Sequence, residues 1–340
     1  MTVAPMPAAV PASDENAHQP TSDAQFNESM YFNFVDQAGS GFASLIRMGN
    51  RVNEGYAEVT VLVYLPDGSV AAHIERAPIS DNSRFDAGGL RIDVLEPLQR
   101  VRVRYEGEAH HLATGPSLAD PKKAFTESPV VPLTVDLECT TIGQLYGLSG
   151  TADGAGGIEG GEDTIAASHY QGGIVSVGTV TVAGAESRVD ATGFRDHSWG
   201  PRQWTAPSWW RWVSCWVDQG NGFAGFVSRV GDNRAPGSGA VVRDGKVSLI
   251  RRMEIASTYG EAPTYFPQQV DVVLTTDDDQ LVTRVATLPN AVPLRHRREG
   301  YQARIAELLG RFEFEGRVGY GFLEYHDLIL DGVPQGIREA

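Results

Sequence analysis

An internal repeat constrains the fold of this chain more than any other feature of its sequence. Residues 32–49 read FNFVDQAGSGFASLIRMG, and residues 214–231 read SCWVDQGNGFAGFVSRVG. Further matches follow in the same order, at Asp67-Gly68 with Asp244-Gly245 and at residues 92–94 with residues 270–272. Three matches in one order indicate that a single supersecondary unit has been duplicated.

Each copy reads as antiparallel β structure. Residues 56–65 lead into a turn at Pro66-Asp67-Gly68 and residues 69–76 lead out of it, which predicts a hairpin. Residues 100–106 alternate apolar and polar side chains, as in a strand with one buried face. Further strands are predicted at residues 173–182, 209–217, 222–230, 270–275 and 281–288.

Helical signals are few. Residues 299–309 resemble a helix closed by Gly310, and a second helix is predicted near residues 117–125. Many strands, few helices and a duplication favour an all-β fold of two sheets, closed into barrels or packed as a sandwich. We expect a disordered tail over residues 1–25, an N-terminal β domain at 26–185 and a C-terminal β domain at 186–340. The Gly-rich residues 147–163 are predicted to form a surface loop.

The composition restricts the partners of the protein. A net charge of −15 over 340 residues disfavours binding to nucleic acid or to anionic lipid. No apolar run is long enough to span a bilayer, and the N-terminus lacks the pattern of a signal peptide. Cys139 and Cys215 lie far apart in apolar runs, so we interpret them as reduced core thiols in a cytoplasmic protein.

Aromatic bulk and charge are concentrated in one segment. All six tryptophans lie between Trp199 and Trp216, at Trp199, Trp204, Trp209, Trp210, Trp212 and Trp216. Charged residues adjoin the first of them at Arg195, Asp196, His197 and Arg202. This combination is typical of an apolar pocket with a charged working end.

The extended segment 193–202 separates its side chains onto two faces. Asp196 and Ser198 point one way, and Arg195, His197 and Trp199 point the other way. We expect His197 and Trp199 to share a pocket wall, with Asp196 supporting the site from behind. The same alternation places Trp210, Trp212 and Trp216 on one face of the next strand.

These residues suit acid–base chemistry in a dry aromatic pocket. A carboxylic acid in an apolar site has a raised pKa and remains a proton donor near neutral pH. Protonation of an alkene gives a carbocation, which indole faces stabilise. The bland alternative is that Asp196 forms structural ion pairs with Arg195 or Arg202 and that the tryptophans simply fill the core.

Several common catalytic motifs do not occur. The sequence has no GxSxG, P-loop, HExxH or strand-associated GxGxxG, and no pair of CxxC motifs. The spacing of His110-His111, His169 and His326 favours no metal site. We therefore expect neither a cofactor nor a metal.

The element Asp196-His197-x-Trp199-Gly200, inside a duplicated β-rich chain, resembles the carotenoid 1,2-hydratase (hydroxyneurosporene synthase) superfamily. Relatives of that group include kievitone-hydratase-like, tocopherol-cyclase-like and lipocalin-like pericyclase proteins. The resemblance implies two lipocalin-like β domains and cofactor-free hydration, cyclisation or isomerisation of a hydrophobic substrate. The family's His and Trp carry over to His197 and Trp199. Its hydratases also use a Tyr and an Asp on the following strand, which residues 222–230 lack.

We therefore predict a hydratase or dehydratase acting on an isoprenoid, steroid-like or aromatic substrate. A cofactor-free isomerase or cyclase and a non-catalytic carrier of lipophiles are the alternatives, and the oligomeric state, including a homodimer, stays open. The predicted catalytic residues are Asp196, His197 and Trp199. The predicted substrate-binding residues are Trp204, Trp210, Trp212, Arg195, Arg202, Arg47, Glu54 and Tyr325.

Overall fold

The computed structural model describes residues 10–147, 168–298 and 300–339. The first unit holds strands β1 (Phe26–Val35), β2 (Ala43–Arg51), β3 (Tyr56–Tyr64), β4 (Val70–Pro78), β5 (Phe85–Ala87), β6 (Leu90–Glu96), β7 (Arg100–Leu112), β8 (Val130–Thr141), β9 (Tyr146–Gly147), β10 (Ser168–Val182) and β11 (Ala185–Pro201). The second unit holds β12 (Trp209–Trp216), β13 (Gly222–Val230), β14 (Asn233–Arg234), β15 (Ser238–Arg243), β16 (Lys246–Leu249), β17 (Arg252–Tyr259), β18 (Pro267–Thr275), β19 (Gln280–Thr287), β20 (Val292–Arg298), β21 (Tyr301–Phe314), β22 (Arg317–Leu330) and β23 (Val333–Pro334). The helical elements are α1 (Pro121–Glu127) and 3-10 turns at Ala12–Glu15, Val52–Glu54, Gly115–Ala119 and Gln335–Glu339.

The two sheets use the same strand order, which confirms the predicted all-β duplication with few helices. The first sheet runs β4-β3-β2-β1-β11-β10-β8-β7-β6-β5 and closes through pairing of β4 with β7. The second sheet runs β16-β15-β13-β12-β22-β21-β19-β18-β17. Position by position, β1 corresponds to β12, β11 to β22 and β10 to β21.

Two of the three sequence matches fall on equivalent strands. Residues 32–49 and 214–231 form the β1–β2 and β12–β13 hairpins. Asp67-Gly68 and Asp244-Gly245 lie in the β3–β4 and β15–β16 turns, where each glycine has a positive φ that favours this residue. The third match does not hold, because residues 92–94 lie in β6 and residues 270–272 lie in β18, which occupy different places in the two sheets.

The boundary between the units differs from the prediction. Strand β11 carries the segment 193–201 and pairs along its length with β1 and β10, so it completes the first sheet. The first unit therefore continues to residue 201, and residue 186 is not the start of the second. The reason is that β11 pairs with β10 along one edge and with β1 along the other.

The segment 10–25, which we expected to be disordered, packs against the first unit. Glu15 is fully buried, where its carboxylate pairs with Arg195 and accepts a hydrogen bond from the Leu98 N–H at 2.8 Å. Asn53 Nδ2 donates to the carbonyl oxygens of Thr21 and Asp23. These anchors are specific contacts, which a composition rich in Ala, Pro and Ser does not reveal.

The helix predicted at residues 299–309 is wrong, because residues 301–314 form strand β21. This strand pairs with β20 and β22 and is buried on both faces over most of its length. A strand buried on both faces is apolar throughout, and periodicity does not distinguish it from a buried helix. The helix near residues 117–125 is confirmed as α1 with its preceding 3-10 turn, and residues 148–163 of the predicted loop lie outside the described residues.

Among the described residues, one apolar core lies inside each unit and a third fills the space between them. Trp210, Trp212 and Trp216 share one face of β12, as the alternation predicts, and they belong to the core between the units. Cys139 and Cys215 are buried free thiols, and burial raises the pKa of Cys139 to about 11. None of the helices described is long and apolar enough to cross a membrane.

Candidate active site between the two units

A pocket of about 410 Å³ lies between the two units and is lined by side chains from both. Its apolar walls come from the core between the units, including Trp210, Trp212, Phe125 and Phe226. Charged side chains from both units also line it. A concave, mainly apolar cavity with a few polar groups is the usual form of a small-molecule site.

Each unit supplies one row of directly opposed cross-strand residues to this pocket. The first row is Gln171, Asp196, Tyr31, Arg47 and Thr60, on strands β10, β11, β1, β2 and β3. The second row is Glu307, Glu324, Trp212, Phe226 and Ser238, on the corresponding strands β21, β22, β12, β13 and β15. All ten residues line the pocket. Opposed residues share one face of a sheet, so each row forms a continuous wall.

Glu307 and Glu324 form the most unusual pair in the pocket. They are directly opposed on β21 and β22, and both side chains line the pocket. Burial and the adjacent Glu324 raise the pKa of Glu307 well above its usual range. Burial also raises the pKa of Glu324, although hydrogen bonds from Glu307 and Trp210 offset part of that effect. The indole Nε1 of Trp210 donates to Glu324 Oε1 at 2.5 Å.

The equivalent pair in the first row contains an amide in place of one acid. Gln171 stands opposite Asp196, whose side chain is 27% exposed. The nearest imidazole is that of His169, with its Nε2 3.8 Å from Asp196 Oδ2. Asp196 thus faces an amide where Glu324 faces a carboxyl, and its side chain is more exposed than that of the buried Glu307.

Trp204 forms an aromatic platform in the pocket, in contact with basic side chains. The His296 ring stacks on it with centroids 4.3 Å apart, and the Arg47 and Arg202 guanidinium carbons lie 5.3 and 5.0 Å from its ring. Burial lowers the pKa of His296 to about 4, so this imidazole is neutral near pH 7. Burial and the nearby Arg47 lower the pKa of Arg202, whose Nη2 donates to Ser198 Oγ at 2.8 Å.

The predicted site residues divide between this pocket and places away from it. The pocket is lined by six of them, Asp196, Trp204, Trp210, Trp212, Arg202 and Arg47. The alternation predicted for β11 is correct, but the side that faces the pocket is the one that carries Asp196. His197, Trp199 and Arg195 point into the first unit, because β11 lies in the middle of a closed sheet with both faces covered.

Glu54 and Tyr325 also lie away from the pocket. Glu54 lies in the 3-10 turn after β2, where its carboxylate pairs with Arg51 at 2.8 Å. Tyr325 faces the core of the second unit, where its hydroxyl lies 2.7 Å from Ser257 Oγ. Tyr325 neighbours Glu324 in β22, so strand alternation turns it away from the cavity.

Glu307 and Glu324 were not predicted from the sequence. Each is an acidic residue inside an apolar run, in IAELL and in FLEYHD. That pattern is a usable signal, because a buried strand tolerates a carboxyl only where it finds a partner. The predicted helix over residues 299–309 concealed it, since only an antiparallel ladder brings residue 307 opposite residue 324.

Comparison with known proteins gives the following matches. A family model described as "Domain of unknown function (DUF7064)" matches residues 11–329. A Nitrosomonas europaea protein provisionally named AttH is 17% identical over 95% of this chain and 99% of its own, with a TM-score of 0.64. Kievitone hydratase from Nectria haematococca is 12% identical over 95% and 94%, with a TM-score of 0.56. CghA is 13% identical over 89% and 88%, with a TM-score of 0.54, and was also solved with Sch210972. No curated protein matches the sequence.

Proposed function

The chain belongs to the family described as "Domain of unknown function (DUF7064)", and we propose that it is a cofactor-independent enzyme of the hydratase or cyclase type. Its substrate is a hydrophobic small molecule that carries an alkene or a tertiary alcohol. The reaction takes place in the pocket between the units, and the Glu307–Glu324 pair is the acid.

The Glu307–Glu324 pair carries this proposal. A buried Glu307 and a partly buried Glu324 that face each other in the pocket wall destabilise the fold, because burial disfavours the charged form of each carboxyl. Titratable groups with strongly displaced pKa values concentrate at catalytic sites. A shared proton held near neutral pH supplies both an acid and, once the proton leaves, a base.

The chemistry follows from that proton. The protonated carboxyl transfers H⁺ to one alkene carbon, and the electron pair of the double bond forms the new C–H bond. Water attacks the resulting cation and then returns a proton to the glutamate pair; in a cyclisation, an internal nucleophile replaces the water. The indoles of Trp210 and Trp212 stabilise the cation, each by about 0.5–2 kcal/mol. Dehydration is the reverse of the same steps.

Asp196 and His169 supply a second polar group on the opposite wall. Their place in the first row suits them to orient the attacking water or a hydroxyl of the substrate. Trp204, with Arg47 and Arg202 against it, suits the oxygen-bearing end of the substrate. The name of kievitone hydratase, a structural neighbour, accords with hydration in this fold.

The test is product formation from prenylated phenols, terpenoid alcohols and polyenes in heavy-oxygen water, followed by mass spectrometry. Incorporated label indicates hydration, and an unlabelled isomer indicates cyclisation or isomerisation. Glu307→Gln is expected to lower turnover by about 10²–10⁴-fold, the usual contribution of general acid–base catalysis. Glu313→Gln is the matched control, because Glu313 lies on the same strand with its side chain half exposed.

Two results would overturn this function. Tight binding of these compounds with no product from any of them would identify a carrier. Unchanged turnover in Glu307→Gln, with the product still formed, would leave an enzyme whose acid lies elsewhere. A substrate-independent check is the infrared carbonyl band of a protonated carboxylic acid at neutral pH, which Glu307→Gln is expected to remove.

A further inference from the structure

The inner face of β11 carries the part of the motif that the pocket does not use. His197 is fully buried there, and its Nε2 lies 2.9 Å from Glu28 Oε1. His18, in the segment before β1, brings its Nδ1 to 2.7 Å from the same oxygen. The three ligand atoms lie within 4.8 Å of one another.

We propose that His18, Glu28 and His197 form a binding site for a divalent transition metal of the Zn²⁺ class. Neutral imidazole nitrogens with a carboxylate oxygen are a preferred donor set for such ions. An ion about 2.1 Å from each ligand in tetrahedral geometry holds the ligand atoms about 3.4 Å apart. The contacts of 2.7 and 2.9 Å place both nitrogens closer to the carboxylate oxygen than that, so an ion would require each nitrogen to move outward by roughly 0.5–0.7 Å.

The surrounding hydrogen bonds orient the ligands toward this point. Tyr170 OH lies 3.1 Å from Nδ1 of His197, the ring nitrogen that faces away from Glu28. Asn82 Nδ2 donates to Glu28 Oε2, and the His18 N–H donates to both carboxylate oxygens, to Oε2 at 2.9 Å and to Oε1 at 3.1 Å. Oε1 is the oxygen that both imidazoles contact. Partners that fix the second nitrogen of a histidine and the second oxygen of a carboxylate are characteristic of metal sites.

The balance of charge also favours a cation at this position. Glu28 is fully buried, and its ion pairs in the described part of the chain are both to imidazoles. The neighbouring Arg195 pairs with Glu15. A bound divalent cation would offset the charge of this buried carboxylate.

An ion could enter from the His18 side, because that side chain is 24% exposed and stacks on Trp199 with ring centroids 3.9 Å apart. With three protein ligands, the fourth position is left for water. Bound metal would tie residues 10–25 to β1 and β11. Asp196, on the opposite face of β11, lines the pocket that also contains the proposed acid pair. The metal site is therefore separate from that pocket.

The experiment measures metal content and Zn²⁺ affinity of the full chain, purified without a metal-affinity step. We expect about one Zn²⁺ per chain, and visible d–d bands when Co²⁺ replaces it. His18→Ala is expected to lower Zn²⁺ affinity at least ~100-fold, and Tyr170→Phe to lower it about 10–100-fold through the orientation of His197. His111→Ala is the control, since His111 pairs with Ser69 in another part of the first unit.

His18 is partly exposed, so its alanine variant is expected to fold, which circular dichroism would check. The proposal is overturned if the wild-type chain binds no Zn²⁺ after treatment with a chelator and reloading. It is equally overturned if His18→Ala and His111→Ala bind Zn²⁺ as the wild type does. In that case the three residues form only a hydrogen-bonded anchor for the N-terminal segment.

Discussion

The first row and the second row occupy equivalent places in the two units, but they hold different chemistry at one pair of positions. The first row opposes Gln171 to Asp196, and the second opposes Glu307 to Glu324. Both pairs lie on the central strands of their sheets and face the same pocket. The first row has an amide where the second has a carboxyl, so only the second row opposes two carboxyls. A duplicated framework thus gives two walls, and the proposed acid lies on only one of them.

The comparison of the two rows would be wrong if side chains that face the core of the first unit also contributed to the pocket. Glu15→Gln leaves the fully buried Arg195 without its carboxylate, which is expected to lower the free energy of unfolding by about 3–5 kcal/mol. Urea denaturation measures the loss. Binding of the dye anilinonaphthalene sulfonate in the pocket is expected to persist below the transition, and its disappearance from the folded variant would contradict the separation of the two faces. Asp271→Asn, at an exposed ion pair, is the control, with a loss below ~1 kcal/mol.

The first row can be given the chemistry of the second. Gln171→Glu places a new buried carboxyl opposite Asp196, and we expect a loss of about 1–3 kcal/mol of stability at pH 8. The raised pKa of the new acid makes the folded state hold an extra proton, so the loss is smaller at pH 5. Denaturation at both pH values checks this. Equal losses at the two values would show that the substitution acts through packing alone.

The second row can be given the chemistry of the first by Glu307→Gln. In the wild type the folded pKa of Glu307 lies above the ordinary value of 4.5, so its contribution to stability is complete below 4.5 and is lost as pH rises toward the folded pKa. One proton corresponds to a slope of at most about 1.4 kcal/mol per pH unit. The variant is expected to lose this slope. Parallel stability curves for the two proteins would contradict a shared proton.

Tyr325→Phe tests whether a residue that adjoins the second row in sequence, but faces away from it, affects the pocket. The substitution removes the hydroxyl contact with Ser257 and is expected to lower stability by about 1 kcal/mol. Because Tyr325 faces the core of the second unit, dye affinity and turnover are expected to stay at wild-type values. A loss of turnover in a variant that is still folded would show that Tyr325 contributes to the site.

The smallest effect is expected for Glu54→Gln. Glu54 pairs with Arg51 in a turn outside the pocket, so stability is expected to change by less than ~0.5 kcal/mol. Ligand affinity is expected not to change. Fluorescence titration with the same dye is sufficient to detect a departure from this result.

The sequence predicts much of the framework and less of the site. Alternation in residues 195–199 gives the correct two faces, because side chains of a strand alternate whatever surrounds it. It does not reveal which face meets the cavity, since β11 is covered on both sides and only the packing of the second unit distinguishes them. The sequence predicts that His18 lies in a disordered tail, so it gives no reason to expect His18 to approach His197.

The contact between Tyr31 and Trp212 has a consequence for how such a pocket can arise. These two residues hold equivalent positions in the rows, and their rings meet edge to face with centroids 6.1 Å apart. In the interface of a two-fold homodimer, identical residues meet where the symmetry axis passes. In such a dimer of one unit, the residue at the place of Gln171 and that at the place of Glu307 would have to be identical. Two copies within one chain are free of that requirement, so the acid can lie on one side alone.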